Sequence, residues 1–350
     1  MKQWKDHGML APRTGMVIPA YFSEKPDDDT VRQLLWMTLA DTPHFYRPEQ
    51  TLVVVDGDQR TARLAQEVQE RMLRGAESTF GLLELPENRG KFGAMAAGIG
   101  RLIAEKPELD YVVVRDGDGD HAVSEVPGLV RMAEDLAETL GHTRVIAVGA
   151  RRSRIHPMGW VRGELEWLLD AVTLDAIRYQ LAREARFPNL GHSLAPGQIP
   201  DISSGFKVYG REIAEALFAR HEPNLATLSA SDYWHFGPET VTYVEASLRG
   251  AVMAEKLRLT WDGQPATSFG EFEQLRLYGE LMAWVWARLE TPLAIAARMV
   301  DNWTPAMALR TTVEGQELVY KVRDYALGRV CAYRGSSETL PEPAAGPAFV

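Results

Sequence analysis

Tyr111-Val112-Val113-Val114-Arg115-Asp116-Gly117-Asp118-Gly119-Asp120 joins a short apolar run to three carboxylates spaced by glycine. Continuous β-branched residues are what a strand buried on both faces requires, and a turn begins where Asp and Gly take over. The loop offers only oxygen ligands, which predicts a site for a hard divalent cation, Mg2+ or Mn2+. An EF-hand calcium loop starting at Asp116 is excluded: its sixth position is His121 rather than Gly and its twelfth is Pro127 rather than Glu. An acidic turn that merely caps the strand is the competing reading.

Working outward, the same alternation recurs. Gly15-Met16-Val17-Ile18-Pro19-Ala20-Tyr21 reads as a strand, and residues 30–39 carry Val31, Leu34, Leu35 and Leu39 at helical spacing behind a cap at Asp29 or Thr30. Thr51-Leu52-Val53-Val54-Val55, then Leu82-Leu83-Glu84-Leu85, and later Val145-Ile146-Ala147-Val148 are further strands. Helices are expected at 62–73, 93–103 and 126–140 between them. Strands alternating with helices across short loops predict an α/β fold with a mostly parallel sheet covered on both faces. Ligands bind such sheets at the carboxyl ends of the strands, where segments 19–24, 56–58 and 116–120 fall. Beyond residue 150 the pattern loosens. Residues 160–183 read as helix, 187–202 as a Pro/Gly-rich loop, 206–209 as strand, 212–220 and 240–248 as helix, and 251–259 as extended. Residues 271–300 read as long helical material rich in Trp and Met, and 335–350 as a disordered tail.

Composition bounds the function. At 350 residues, 45% hydrophobic and 25% charged, the chain can bury a large core, which excludes bulk disorder. With 38 Lys+Arg against 48 Asp+Glu the net charge is −10, so its field repels phosphate backbones and nucleic acid is not an expected partner. A single cysteine, Cys331, permits neither an internal disulfide nor a cysteine metal cluster. Met1 to Pro12 lacks the apolar core of a secretory signal, so a cytoplasmic protein is expected. Arg288, Glu290 and Arg298 interrupt the apolar stretch 281–300, which argues against membrane contact. Homodimerisation is left open.

Asn88-Arg89-Gly90-Lys91-Phe92-Gly93-Ala94 sets two cations beside flexible backbone at the start of a small-residue helix, a suitable place for an anionic ligand. It lacks the Gly-Lys-Ser/Thr of a P-loop, and the chain carries no GxGxxG, which disfavours a dinucleotide-dependent dehydrogenase. Taken with Val17-Ile18-Pro19-Ala20-Tyr21, Val53-Val54-Val55-Asp56-Gly57 and Asp116-Gly117-Asp118, in that order over about residues 16–130, this segment resembles the nucleotide-diphospho-sugar-binding domain of GT-A-fold glycosyltransferases of the family 2 type. The resemblance implies a donor site of Pro19, Ala20, Tyr21, Asp56, Lys91 and Asp116, with Asp56 toward the base, Lys91 near the donor, Asp118 on the metal and Asp116 toward the ribose or metal. Phe22 stands where the family has Asn.

His235-Phe236-Gly237-Pro238-Glu239-Thr240 is similar to the family's acidic acceptor-side motif, which implies Glu239 as the carboxylate nearest the acceptor, with Asp232 competing. It is also similar to soluble retaining synthases that glycosylate glycerate or phosphoglycerate, where a histidine supplies a third metal ligand. Here Trp261-Asp262-Gly263-Gln264 occupies that place, leaving Asp262 as the candidate. His192, His221 and His235 are too widely spaced for a local zinc motif and are expected to be structural. Gln274-Leu275-Arg276 lacks the Trp that ends the corresponding element of processive synthases. The expected organisation is a nucleotide-sugar-binding and catalytic domain over 16–250, a helical region over 251–334 and a tail over 335–350. The expected activity is metal-dependent transfer of a hexosyl group from a nucleotide-diphospho-sugar to a small-molecule or carbohydrate acceptor hydroxyl. A sugar-phosphate nucleotidylyltransferase and a non-catalytic nucleotide-sugar-binding protein are the alternatives.

Overall fold

The apolar runs form the sheet expected of them. In the computed structural model, which describes residues 5–76, 78–194, 198–259 and 273–344, seven strands lie in the order β3-β2-β1-β4-β6-β5-β7. They are β1 (Thr14–Ala20), β2 (Thr51–Val55), β3 (Gly81–Glu84), β4 (Tyr111–Val114), β5 (Val145–Ala150), β6 (Lys207–Gly210) and β7 (Val252–Leu257). Strands β3, β2, β1 and β4 run parallel, as do β5 and β7, whereas β6 runs antiparallel to both its neighbours, β4 and β5. Lys207, which opens β6, is therefore level with Val114 and Val148 near the carboxyl ends of β4 and β5.

Alternate residues of each strand enter opposite layers, as the two-residue period dictates. Val17, Val54, Val112 and Val114 pack beneath the Gly90–Glu105 and Trp160–Arg183 helices and the C-terminal helices. Met16, Ile18, Val53, Val55 and Val113 face the Asp28–Leu39, Gln59–Ala76 and Val126–Leu140 helices. The small residues of the Gly90–Glu105 helix let it lie close to the sheet: a Cβ on Gly98 would sit 2.7 Å from the side chains of Val17 and Val54.

Two local expectations change. The cap of the first long helix is Asp27, whose carboxylate accepts from the Thr30 amide at 2.7 Å, so the helix starts at Asp28, ahead of the Asp29 or Thr30 cap expected. The helical material of 271–300 divides into Gln274–Arg288 and Leu293–Trp303. Glu290 turns to φ 51° just ahead of Pro292, which has no N–H to continue a helix. A third helix, Val313–Arg334, packs against both, and Arg323 within it donates to the Pro341 carbonyl. Trp284 and Trp286 are fully buried in this layer. Among the described residues no helix is long and apolar enough to cross a membrane.

Candidate active site

A cavity of about 750 Å³ opens at the carboxyl edge of the sheet. Pro19, Ala20 and Tyr21 reach it from the end of β1, Asp56 from β2, Lys91 from the start of the Gly90–Glu105 helix and Asp116 and Asp118 from the loop after β4. Glu239 lines it from the loop before the Thr240–Leu248 helix, His235 from the last turn of the Ala230–Phe236 helix, and Leu277, Tyr278 and Leu281 from the Gln274–Arg288 helix. Most of the residues implied by the sequence resemblance are thus brought to one place. Asp232 is not among the lining residues: Arg276 holds its carboxylate at 2.6 Å and the Ser229 hydroxyl at 2.8 Å. Asp262 lies outside the described residues.

The acidic loop is fixed from below. Arg115, 1% exposed, donates through Nε to the His121 carbonyl at 2.9 Å. His121 Nδ1 accepts from the Asp116 amide at 3.0 Å, and its ring stacks on Phe206 with centroids 4.7 Å apart. Burial holds this imidazole well below its usual range, so it acts as a neutral strut. The three carboxylates then separate in role. Arg258 donates to Asp120 at 3.2 Å, and Lys91 donates to Asp116 at 2.8 Å. Asp118 has no ion pair among the described residues; burial, then Asp116 and Asp120, push its carboxyl up to about 7.

Lys91 spans the cavity. Its ammonium is 2.8 Å from Asp116 Oδ1 and 2.8 Å from Glu239 Oε1, and these two carboxylates hold it above the usual lysine range against the cost of burial. Gly205 makes room for this contact, since a Cβ there would lie 2.8 Å from Lys91 Nζ and 2.9 Å from Asp116 Oδ2. Asp56, 3% exposed, accepts from the Arg89 amide at 2.7 Å, so it orders the turn that delivers Lys91. Burial raises its carboxyl, and the amides of Arg89 and Gly90 oppose that shift. Gly57 permits this approach: at φ +67°, its Cβ would fall 2.1 Å from Glu87 and Asn88 backbone.

Asp116 and Asp118 suit a hard cation. Mg2+ is commonly held by one or two carboxylates together with substrate phosphates, and an uncompensated, raised carboxyl such as Asp118 is relieved when a cation arrives. Among the described residues no three His, Cys, Asp or Glu side chains converge as a ready-made protein cage.

Several lining residues carried no usable sequence signal. Arg151, donating to Asp201 and Glu166, and Arg258 come from distant loops and answer to no local motif. His235, expected to be structural, lines the cavity and contacts Asn88 Oδ1 at 2.9 Å.

The profile described as "Glycosyl transferase family 2" matches residues 16–218, over half of the chain. The chain belongs to glycosyl transferase family 2. No curated protein sequence matches this glycosyltransferase. Among solved structures, a mannosyltransferase from Pyrobaculum calidifontis in complex with GDP-Man and Mn2+ is 14% identical, with 95% of this chain and 90% of that chain aligned and a TM-score of 0.46. GalNAc-T7 with UDP, GalNAc and Mn2+ is 12% identical, over 89% of this chain and 54% of that one, at a TM-score of 0.40. The family match spans the acidic loop, Lys91 and the Ser203–Gly205 segment of this glycosyltransferase; Glu239 follows it in the chain.

Proposed function

We propose that this glycosyltransferase moves a hexosyl group from a nucleotide-diphospho-sugar to an acceptor hydroxyl with the help of Mg2+ or Mn2+. The observation that carries the reading is the Lys91 ammonium held between Asp116 and Glu239 in one cavity. Asp116 and Asp118 would hold the cation, which supplies positive charge to the diphosphate as it departs. Lys91 contributes a fixed cation to the same developing charge, already oriented before the bond breaks. Asp56 and Tyr21, at the exits of β2 and β1, contact the nucleoside end. Glu239, paired with Lys91, accepts the proton of the acceptor hydroxyl as that oxygen attacks the anomeric carbon from the face opposite the leaving group. Such single displacement inverts the anomeric configuration. Leu277, Tyr278 and Leu281 close the acceptor side and exclude water.

The test is transfer from UDP-, GDP-, ADP- and TDP-sugars to a panel of hydroxyl acceptors, with the product anomer read by NMR. An inverted product lost in Glu239→Gln supports the assignment. Pyrophosphate release from a nucleoside triphosphate and a sugar phosphate would support a nucleotidylyltransferase instead. Donor binding without transfer or hydrolysis would mark a binding protein.

A further inference from the structure

Lys207 shares its face of β6 with Tyr209 and is 2% exposed. A buried ammonium is normally paired with a carboxylate, because leaving water is costly. Lys207 instead donates to one neutral group, the Ile202 carbonyl at 2.9 Å, and has no ion pair among the described residues. Four charged side chains face it from the surrounding elements. They are Glu239 from the loop before the Thr240–Leu248 helix, Asp170 from the Trp160–Arg183 helix, Asp201 from the loop before β6, and the like-charged Lys91 from the Gly90–Glu105 helix. Asp170 is taken by Arg154 and Ser203, and Asp201 by Arg151. Glu239 has Lys91 alone among the described residues.

The tethered carbonyl immediately precedes a stretch of the cavity lining. Ser203, Ser204 and Gly205 follow Ile202 and line the cavity, and Gly205 lies so close to Lys91 and Asp116 that a Cβ there would force the Lys91 ammonium, 2.8 Å away, to shift. Where Ile202 is held therefore decides where Gly205 stands, and with it how Lys91 meets its two carboxylates.

We propose that Lys207 is a positioning residue for glycosyl transfer: its ammonium pins the Ile202 carbonyl so that Gly205 seats Lys91, and it sets a second positive charge behind Glu239. The inference rests on Glu239 acting as the base. Burial lowers the Lys207 ammonium to about 8, so it is charged below that pH and loses its charge above it.

Two measurements test this. Amide hydrogen exchange on the protein alone is expected to speed up across 203–206 in Lys207→Met and to return to the wild-type rate in Lys207→Arg; unchanged exchange in Lys207→Met overturns the tether. The second is the pH profile of kcat for hydrolysis or transfer of UDP-glucose and GDP-mannose with Mn2+, in wild type, Lys207→Met, Lys207→Gln, Lys207→Arg and Glu239→Gln. Loss of the charge in the Met and Gln variants is expected to raise the acidic limb by about half a unit and cut kcat about tenfold at unchanged donor KM. Lys207→Arg is expected to restore the acidic limb and to move the wild-type alkaline limb near pH 8 upward. A lowered melting temperature with both limbs in place would make Lys207 merely structural and overturn the proposal. If Lys207→Met does not fold, wild type against Lys207→Arg still decides, since an alkaline limb at the same pH in both contradicts it. A wild-type rate in Glu239→Gln sinks the base assignment and the inference together, whereas an acidic limb abolished in Glu239→Gln but untouched in the Lys207 variants sinks the inference alone.

Discussion

Lys91 meets two carboxylates from opposite sides of the cavity, so its removal leaves both without their cation. Lys91→Met is expected to lower kcat by roughly two to three orders of magnitude, as loss of a preorganised electrostatic group does. Steady-state rates at saturating donor check this, and a loss under threefold would contradict the role. Gly205→Ala is the subtler probe. Its methyl group must displace the Lys91 ammonium, the flexible end of a side chain, so turnover is expected to fall while the melting temperature stays near wild type. That Asp116, Asp118 and Lys91 line one cavity was legible from short stretches whose chemistry is readable locally, and Glu239 from the family resemblance of its motif. The diversion of Asp120 to Arg258, 138 residues away, was not, and neither was the place of Lys207. The first depends on β7, which Arg258 follows, pairing with β5, and the second on β6 entering the sheet against the direction of its neighbours; no short stretch encodes either.

Elements were more legible than their ends. The bounds of β4 and of the Val126–Leu140, Trp160–Arg183 and Thr240–Leu248 helices follow directly from apolar spacing. Where a single polar residue decides, as at the Asp27 cap, or a proline after a left-handed turn, as at Glu290 to Pro292, spacing alone misplaced the boundary. The Gly90–Glu105 helix carries a prediction at this scale. Gly98→Val would drive methyl groups into Val17 and Val54 and lift the helix that presents Lys91. A cost of about 1–3 kcal/mol is expected, measured as a lower urea midpoint at unchanged slope. A midpoint equal to wild type would mean that the helix and sheet are not closely apposed there.

At the scale of the whole molecule, the N-terminal sheet and the C-terminal helices share one core layer and one cavity, since Leu277 and Leu281 belong to both. Stability should therefore report on the acidic loop. Asp118 has its carboxyl raised from the usual 3.8 to about 7 on folding. Below the lower value folded and unfolded chains both hold the proton; between the two the folded chain keeps a proton that the unfolded chain has released. Its contribution to stability is thus present at low pH and is lost as pH rises through about 7. The metal-free protein is expected to melt at a lower temperature at about pH 8 than a variant with Asp118→Asn, with the difference closing toward about pH 5. Mn2+ is expected to raise the melting temperature of the wild type at the higher pH and leave Asp118→Asn unmoved. Differential scanning calorimetry with and without chelator reads both, and an equal Mn2+ response in the two proteins would contradict the assignment of Asp118.

Calorimetric titration of UDP, GDP, ADP and TDP into wild type, Asp118→Ala and Glu239→Gln, with Mn2+ and again with chelator, tests most directly whether the acidic loop grips the donor through a cation. The expected result is tight binding of at least one nucleotide to wild type and Glu239→Gln in Mn2+, lost with chelator and lost in Asp118→Ala. Undiminished affinity in Asp118→Ala, or in wild type after the metal is removed, would contradict it.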